Sequence, residues 1–316
     1  MKTKIIAVAG PTASGKTSLA IEIAKRVGGE VISNDSMQVY RGMEIGTAAP
    51  TLEEMDGIVH HMVGVCDPTD EFSCADYAER ARRIIDDVAK RGRVPVFCGG
   101  TGLYLDAVLS VSDLSESGKD EGVRERLSAF AEKEGNEALH ARLRKVDPEA
   151  ADAIHKNNVR RVIRALEIYE ATGITKTEWD RRSKERELPY DVSMAIIEFS
   201  DRELLYSRID RRVEIMMESG LLTEVKALFE KGLLSPDKPA FQAIGYKEFI
   251  PYLEGSAPLS ECIAAVQQSS RRYAKRQITW FRRYPDAVRL VADCGGNVRS
   301  AEEMCSEFLE KSSFMR

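Results

Sequence analysis

Gly10-Pro11-Thr12-Ala13-Ser14-Gly15-Lys16-Thr17 stands between two apolar patterns of different period, and its reading decides the fold. Residues 4–9 before it form a short continuous apolar run, as a buried strand does. Residues 16–27 after it repeat apolar positions at helical spacing. The octapeptide fits G-x-x-x-x-G-K-[ST] without deviation, in the strand–loop–helix setting that the motif requires. Its glycines let several backbone N–H groups point at one anion, the helix N-terminus adds favourable partial charge, and Lys16 neutralises phosphate oxygens. Thr17 is placed to offer its hydroxyl to Mg²⁺. All eight residues are therefore expected to grip phosphate, and the motif leaves open which polyphosphate that is.

Outward from this loop the alternation continues. Glu30-Val31-Ile32-Ser33 reads as a second strand ending in the polar run Asn34-Asp35-Ser36, and 62–65 as a third. Val94-Pro95-Val96-Phe97-Cys98 reads as a fourth, running into Gly99-Gly100-Thr101-Gly102. Ser73 is an N-cap for a helix to residue 90, with Tyr77, Ala81, Ile84, Ile85 and Val88 at helical spacing. Strands alternating with helices predict an α/β fold, a P-loop NTPase-like parallel sheet flanked by helices. Residues 112–122, rich in Ser, Asp, Glu and Gly, read as a mobile connection, and 123–186 as helical throughout. A β-run returns at 192–199, Asp201 starts a helix, helices dominate to 283, and 288–291 is a last strand. The expected organisation is a catalytic core of 1–113 and 191–316, with an all-helical insertion domain at 114–190.

Composition bounds the function. A chain of 316 residues can bury one good core and carry a smaller second lobe. A formal charge of −5 argues against a protein that is basic all over, although local distribution decides nucleic-acid binding. The six cysteines are scattered without a Cys-x-x-Cys pair, which disfavours zinc and a disulfide framework. Residues 5–9 are too short for a signal-peptide core, and no stretch approaches the roughly 18 apolar residues of a membrane span. A cytoplasmic location is expected.

Several residues point to chemistry beyond phosphate binding. Asp35 falls on the carboxyl edge of the sheet, where a carboxylate can accept a proton or bind Mg²⁺ through water. Thr101 reaches the same edge and can donate to a phosphate or a leaving oxygen. The fourth strand ends in Cys98 and glycines rather than an aspartate, which argues against ordinary ATP hydrolysis. Between 271 and 283 lie six basic residues and no acid. On a helix Arg272, Lys275, Arg276, Thr279 and Arg283 share one side, with Ile278 and Phe281 turned away. A second basic cluster, Lys156, Arg160, Arg161 and Arg164, lies in the insertion. One charge run alone is usually a solvated face; two in an acidic protein favour nucleic acid. His60-His61, adjacent on a strand, read as one packed and one site-facing histidine rather than a metal pair.

Taken in order, the phosphate loop, Asp35-Ser36-Met37-Gln38-Val39-Tyr40-Arg41-Gly42 and Gly99-Gly100-Thr101-Gly102-Leu103-Tyr104 resemble the bacterial tRNA dimethylallyltransferases. The likeness continues through Val146-Asp147-Pro148-Glu149-Ala150-Ala151, Arg160-Arg161-Val162-Ile163-Arg164-Ala165-Leu166-Glu167 and Gln242-Ala243-Ile244-Gly245-Tyr246-Lys247. It ends with Arg272-Tyr273-Ala274-Lys275-Arg276-Gln277-Ile278-Thr279-Trp280-Phe281-Arg282, and the last thirty or so residues match no motif. The resemblance implies transfer of a dimethylallyl group from dimethylallyl diphosphate to N6 of the adenosine at tRNA position 37, beside the anticodon. It implies that Asp35 takes the N6 proton, that Thr101 supports the bridging oxygen, and that Lys16, the loop amides and Mg²⁺ at Thr17 hold the departing diphosphate. The base would be extruded into a channel, with Ser36, Met37 and Gln38 reading it. Contacts to the tRNA anticodon stem-loop would come also from Arg124, Arg160, Arg161, Val162, Ile163 and Arg164. Gln242, Ala243, Ile244, Gly245, Tyr246, Lys247, Arg272, Lys275 and Arg276 would complete them, on a chain acting as a monomer. Two departures stand out: Asn157-Asn158-Val159 where Asn-Asp-Pro is common, and Ser270 where threonine is usual.

Three other functions share parts of this pattern. An isopentenyltransferase acting on free adenine nucleotides would keep the loop and the aspartate but would not need the basic insertion. A small-molecule kinase would add an arginine-rich lid, which the sequence does not offer. An inactive RNA-binding protein would not need Lys16, Thr17, Asp35 and Thr101 together.

Overall fold

The computed structural model describes residues 2–109, 121–185, 189–312 and 314. Two compact units divide the chain, one of Met1–Val108 with Tyr190–Arg316 and one of Leu109–Pro189. In the first, the apolar run before the phosphate loop is β1 (Thr3–Ala9), buried from Ile5 onward, as a strand covered on both faces must be. The helix α1 (Lys16–Val27) follows. It ends at Gly28, whose left-handed backbone donates its N–H to the Ala24 carbonyl and closes the last turn. Next come β2 (Gly29–Ser33), the short helices α2 (Glu44–Thr47) and α3 (Leu52–Met55), and β3 (His60–His61). In α4 (Cys74–Lys90) the Ser73 side chain and Asp76 form a reciprocal capping box, and Tyr77, Ala81, Ile85 and Val88 make the buried stripe. Strand β4 (Val94–Cys98) and helix α5 (Gly102–Leu109) complete the first half.

After the helical unit the core resumes with β5 (Tyr190–Glu198), α11 (Arg202–Glu218, capped by Asp201) and α12 (Leu221–Glu230). It continues with α13 (Ile250–Leu253), the long α14 (Leu259–Phe281) and β6 (Val288–Val291). The six strands form one parallel sheet in the order β3-β2-β4-β1-β5-β6. Because β4 lies between β2 and β1 and all three run parallel, the loops after β1, β2 and β4 emerge side by side at one edge. That edge is where open α/β sheets bind ligands. One face of the sheet packs Ile6, Val8, Val96 and Ile197 against Leu19 and Ile23 of α1.

Three readings of the sequence need correction here. The third strand is His60–His61, not 62–65, because Met62 adopts φ 63° and turns the chain out of extended geometry. Neither histidine faces the site: His60 Nδ1 lies 2.9 Å from the Ile58 carbonyl, and His61 Nε2 lies 2.7 Å from buried Glu30. Arg91 and Arg93 also flank Glu30, and the Arg91 hydrogen bonds hold its carboxyl down at about 2. The chain also continues past β6 into a hairpin, β7 (Asp293–Cys294) with β8 (Asn297–Val298), and α15 (Ala301–Lys311). Met304, Cys305 and Phe308 of α15 join the core over α1.

The second unit is helical: α6 (Glu121–Glu134), α7 (Asn136–Val146), α8 (Pro148–Ala153), α9 (Val159–Thr172) and α10 (Lys176–Glu185). Leu127, Leu139, Leu143, Val162 and Leu166 form its core. Asp147 caps α8 through the Ala150 N–H and accepts from the Thr177 N–H and hydroxyl, which ties α8 to α10. Glu167 is fully buried and held by Arg124 at 2.8 Å and Arg164 at 2.7 Å, as a buried carboxylate requires. Most of the stretch expected as a mobile connection, 112–120 of 112–122, lies outside the described residues. Among the described residues no helix is long and apolar enough to cross a membrane.

Candidate active site

The loop after β1 carries local strain. Gly10 has φ +146°, and a Cβ there would stand 2.9 Å from the Ile197 carbonyl oxygen, so only glycine fits. Ala13 also has positive φ, at 62°, an uncommon state for a residue with a Cβ. Neighbouring elements hold the loop in that shape. Arg208 of α11 donates to the Ala13 carbonyl at 3.0 Å, and Ala13 packs with Leu205, Ile209 and Ala274. Lys16 Nζ donates to the Pro11 carbonyl at 2.6 Å, and the buried Ser14 hydroxyl has no partner.

Asp35 enters from the end of β2. Its Oδ1 accepts the Met37 N–H at 2.9 Å and the Gln38 N–H at 3.4 Å, which fixes the carboxylate on a tight turn. The Thr101 hydroxyl accepts the Ser36 N–H at 3.1 Å, and backbone and side chain of Asn34 bond Thr101 at 3.2 and 3.1 Å. Asp35 and Thr101 are thus held by one turn-to-turn clasp.

These loops open onto a cavity of about 270 Å³. Of the residues expected from the sequence, Thr12, Lys16, Thr17, Asp35, Ser36, Met37, Gln38, Gln242, Ala243, Ile244, Lys247 and Arg276 line it together. Asp35 is the one carboxylate among the described lining residues, facing the cations Lys16, Arg212, Lys247 and Arg276. Ile209, Val213, Met216, Ile244 and Val266 give the cavity an apolar wall.

Other expected residues lie elsewhere. Thr101 is not itself a lining residue, but it adjoins three that are: Gly99 and Gly100 just before it, and Ser36, whose N–H it accepts. Gln38 lines the cavity, but its amide is committed: Oε1 accepts from the Ser33 hydroxyl at 2.7 Å, and Nε2 donates to the Thr47 and Ala48 carbonyls. Tyr246 is fully buried, its hydroxyl between the Met43 carbonyl at 2.9 Å and Glu224 at 2.8 Å, so it has no side-chain surface for RNA. Glu224 in turn accepts the Ile45 and Gly46 N–H groups at 2.9 Å and anchors α2 against the cavity. Gly245 is buried beside it. Val162 and Ile163 are core residues of the helical unit, which corrects their expected contact with RNA; Arg160 and Arg161 are exposed. On α14, Arg272 and Lys275 are exposed, whereas Arg283 lies past the helix end and pairs with Asp106. Ser270, a departure from the family pattern, is a lining residue.

Sequence reasoning missed Arg212, Tyr273 and Gln277. Arg212 shares the apolar stripe of α11 with Leu205, Ile209 and Val213, and an arginine on such a stripe was the available signal. Burial pulls its guanidinium below the ordinary value, opposed by Asp35. Burial also lowers the Lys16 ammonium to about 8, helped by Arg212 and opposed by Cys98 and Asp35.

A depressed lysine makes anion binding pH-dependent. A bound diphosphate favours the charged ammonium, so the free protein must take up a proton when Lys16 starts neutral. Affinity for diphosphate is expected to hold below pH about 8 and to fall above it, with proton uptake on binding near that pH. Calorimetry in buffers of different ionisation enthalpy measures both. Constant affinity from pH about 7 to about 9 would contradict a charged Lys16–anion contact.

The residues present also fit Mg²⁺. The available donors are hard oxygens, the Thr17 hydroxyl and the Asp35 carboxylate, and no group of three or more His, Cys, Asp or Glu among the described residues forms a metal cage. That sparse set suits an ion that keeps waters and is carried mainly on substrate phosphates.

The IPP transferase family model matches residues 38–284, and an isopentenyl transferase model matches residues 3–64. The chain is 51% identical over 282 residues to a tRNA dimethylallyltransferase of Halalkalibacterium halodurans, covering 89% of each. It is 48% identical over 281 residues to that of Bacillus subtilis, covering 89% of this chain and 88% of the relative. Among solved structures it is similar to the full-length tRNA isopentenylpyrophosphate transferase of Bacillus halodurans. That pair has a TM-score of 0.71 and 44% identity, covering 98% of this chain and 95% of the other. It is also similar to a eukaryotic dimethylallyltransferase described as acting on tRNA, with a TM-score of 0.80 and 33% identity, covering 92% and 74%.

Proposed function

The chain belongs to the IPP transferase family, and from that premise we infer how it moves a dimethylallyl group from dimethylallyl diphosphate to N6 of the adenosine 3′ to the tRNA anticodon. The observation that carries the reading is the pairing, in one cavity, of a lone carboxylate with an anion grip and an apolar wall. Lys16, Arg212 and the loop amides receive the diphosphate, and Ile209, Val213 and Met216 suit the isoprenyl chain. The N6 lone pair attacks the allylic carbon, the carbon–oxygen bond to diphosphate breaks, and the N6 proton passes to Asp35. Thr101, oriented by Ser36 and Asn34, supports the bridging oxygen. Thr17 would hold Mg²⁺ together with the diphosphate, and the ion, when bound, would neutralise charge on the leaving group. An exocyclic amine is a weak nucleophile, so alignment supplies much of the acceleration.

The target base leaves its stack to enter the cavity, as chemistry on a base within folded RNA requires. The exposed arginines Arg160 and Arg161 of the helical unit contact the anticodon stem-loop, as do Arg272, Lys275, Gln242 and Lys247 of the core. The protein works as a monomer in the cytoplasm.

Incubation with labelled dimethylallyl diphosphate and either tRNA or AMP tests this reading. Label is expected on tRNA, in N6-isopentenyladenosine. Label on AMP alone would assign the cavity to free nucleotides instead.

A further inference from the structure

Helix α14 reaches the site with its buried face. Gln277 on that face is 4% exposed and bonds two catalytic loops at once. Its Oε1 accepts the Thr12 N–H of the phosphate loop at 2.8 Å, and its Nε2 donates to the Gly100 carbonyl at 3.2 Å. One partner is a donor and the other an acceptor, so the amide has one satisfied orientation, and a carboxylate or a hydrocarbon cannot reproduce it. The fit is close from the other side too: a Cβ on Gly100 would stand 1.8 Å from Gln277 Nε2. One turn earlier, the Tyr273 hydroxyl bonds Thr101 and Gln277 and is pushed up to about 12 by burial. The two loops have no other side chain of α14 bonded to both among the described residues.

We propose that Gln277 is a positioning residue that holds the diphosphate loop and the Thr101 loop in register, so that leaving-group grip and bridging-oxygen support act on one bond. It touches neither substrate in this role; it acts through Thr12 and Gly100. The proposal rests on the proposed function for its effect on transfer, but its effect on the loop does not need transfer to occur.

Two variants and two readouts test it. Gln277→Met keeps the length and apolar packing of the side chain and loses both hydrogen bonds. It is expected to lower kcat for transfer to tRNA by about 100-fold, as a displacement of roughly 1 Å at a reacting centre does, and to weaken the Kd for inorganic diphosphate, measured without tRNA, by about tenfold. The Kd for tRNA is expected to stay within about twofold. Gln277→Glu supplies a second arm. Its carboxylate repels the Gly100 carbonyl, whereas its protonated form has one acceptor and one donor and restores the pattern of the amide. The ratio of its kcat to that of the unsubstituted protein is therefore expected to rise as pH falls from about 8 to about 5.5, which a space-filling role would not produce. Diphosphate affinity and kcat both within about threefold in Gln277→Met, or a flat ratio in Gln277→Glu, would overturn the proposal. If the unsubstituted protein binds diphosphate but transfers nothing to tRNA, the function reading fails alone, and the diphosphate arm still decides the role of Gln277.

Discussion

Asp35→Asn is expected to lower kcat for prenyl transfer by about 1,000-fold while tRNA affinity stays within about twofold, the range that loss of a positioned base produces. The substitution is close to isosteric. The asparagine Oδ1 can still accept the Met37 and Gln38 N–H groups that hold the native carboxylate, so the turn that presents Ser36 to Thr101 survives. What is lost is the second carboxylate oxygen, the proton acceptor for N6. No other carboxylate among the described lining residues can take over. Single-turnover transfer of labelled dimethylallyl diphosphate gives the chemical step, and filter binding gives tRNA affinity. A fall in kcat of less than about tenfold would mean that the N6 proton leaves by another route, and a parallel loss of tRNA binding would make Asp35 a recognition residue instead.

How much of this was legible in advance depends on the range of the interaction that defines each feature. The β1–loop–α1 unit was readable because both periodicities and the motif lie within 25 residues of one another. Ser73 and Asp201 were readable as helix starts because a cap is a contact between near neighbours. The polar ends of β2 and β4 were placed at one edge by the parallel topology alone. Tertiary pairing was not readable. One histidine of the His60-His61 pair was expected to face the site because nothing local revealed that Glu30, 31 positions before His61, would bind it. Tyr246 lies in a motif of the family, yet it is a buried anchor whose partners, Met43 and Glu224, are distant in sequence. Val162 and Ile163 sit among arginines, so the charge pattern hid the apolar face of α9 that carries them into the helical core. Helix α15 went unread although Ser300 and Glu303 form a capping box, a local signal that was present.

Arg212 belongs to the same class of hidden residue, and it carries the second large effect. Lys16→Met and Arg212→Met are each expected to lower kcat/KM for dimethylallyl diphosphate by about 100- to 1,000-fold, the usual loss when one preorganised charge-stabilising donor is removed. In the free protein Lys16 rests on the Pro11 carbonyl, with Arg212 among the charges that act on it across the cavity, and burial makes both cations costly there. A diphosphate removes that cost by neutralising both, and its negative charge grows as the allylic carbon–oxygen bond breaks. The two cations should therefore contribute more to the transition state than to the bound substrate, which places much of the loss in kcat. Because each cation raises the cost of the other, removing both should cost less than the product of the single effects. Lys16→Met should also abolish the fall in diphosphate affinity above pH about 8, since the titrating group is gone. Arg212→Lys is not expected to restore full activity, because an ammonium cannot reproduce the planar fork of a guanidinium against phosphate oxygens. Steady-state kinetics of the three single variants and the double variant check each point. Fully multiplicative effects on kcat/KM would show that the two cations act on the diphosphate independently, not as one grip.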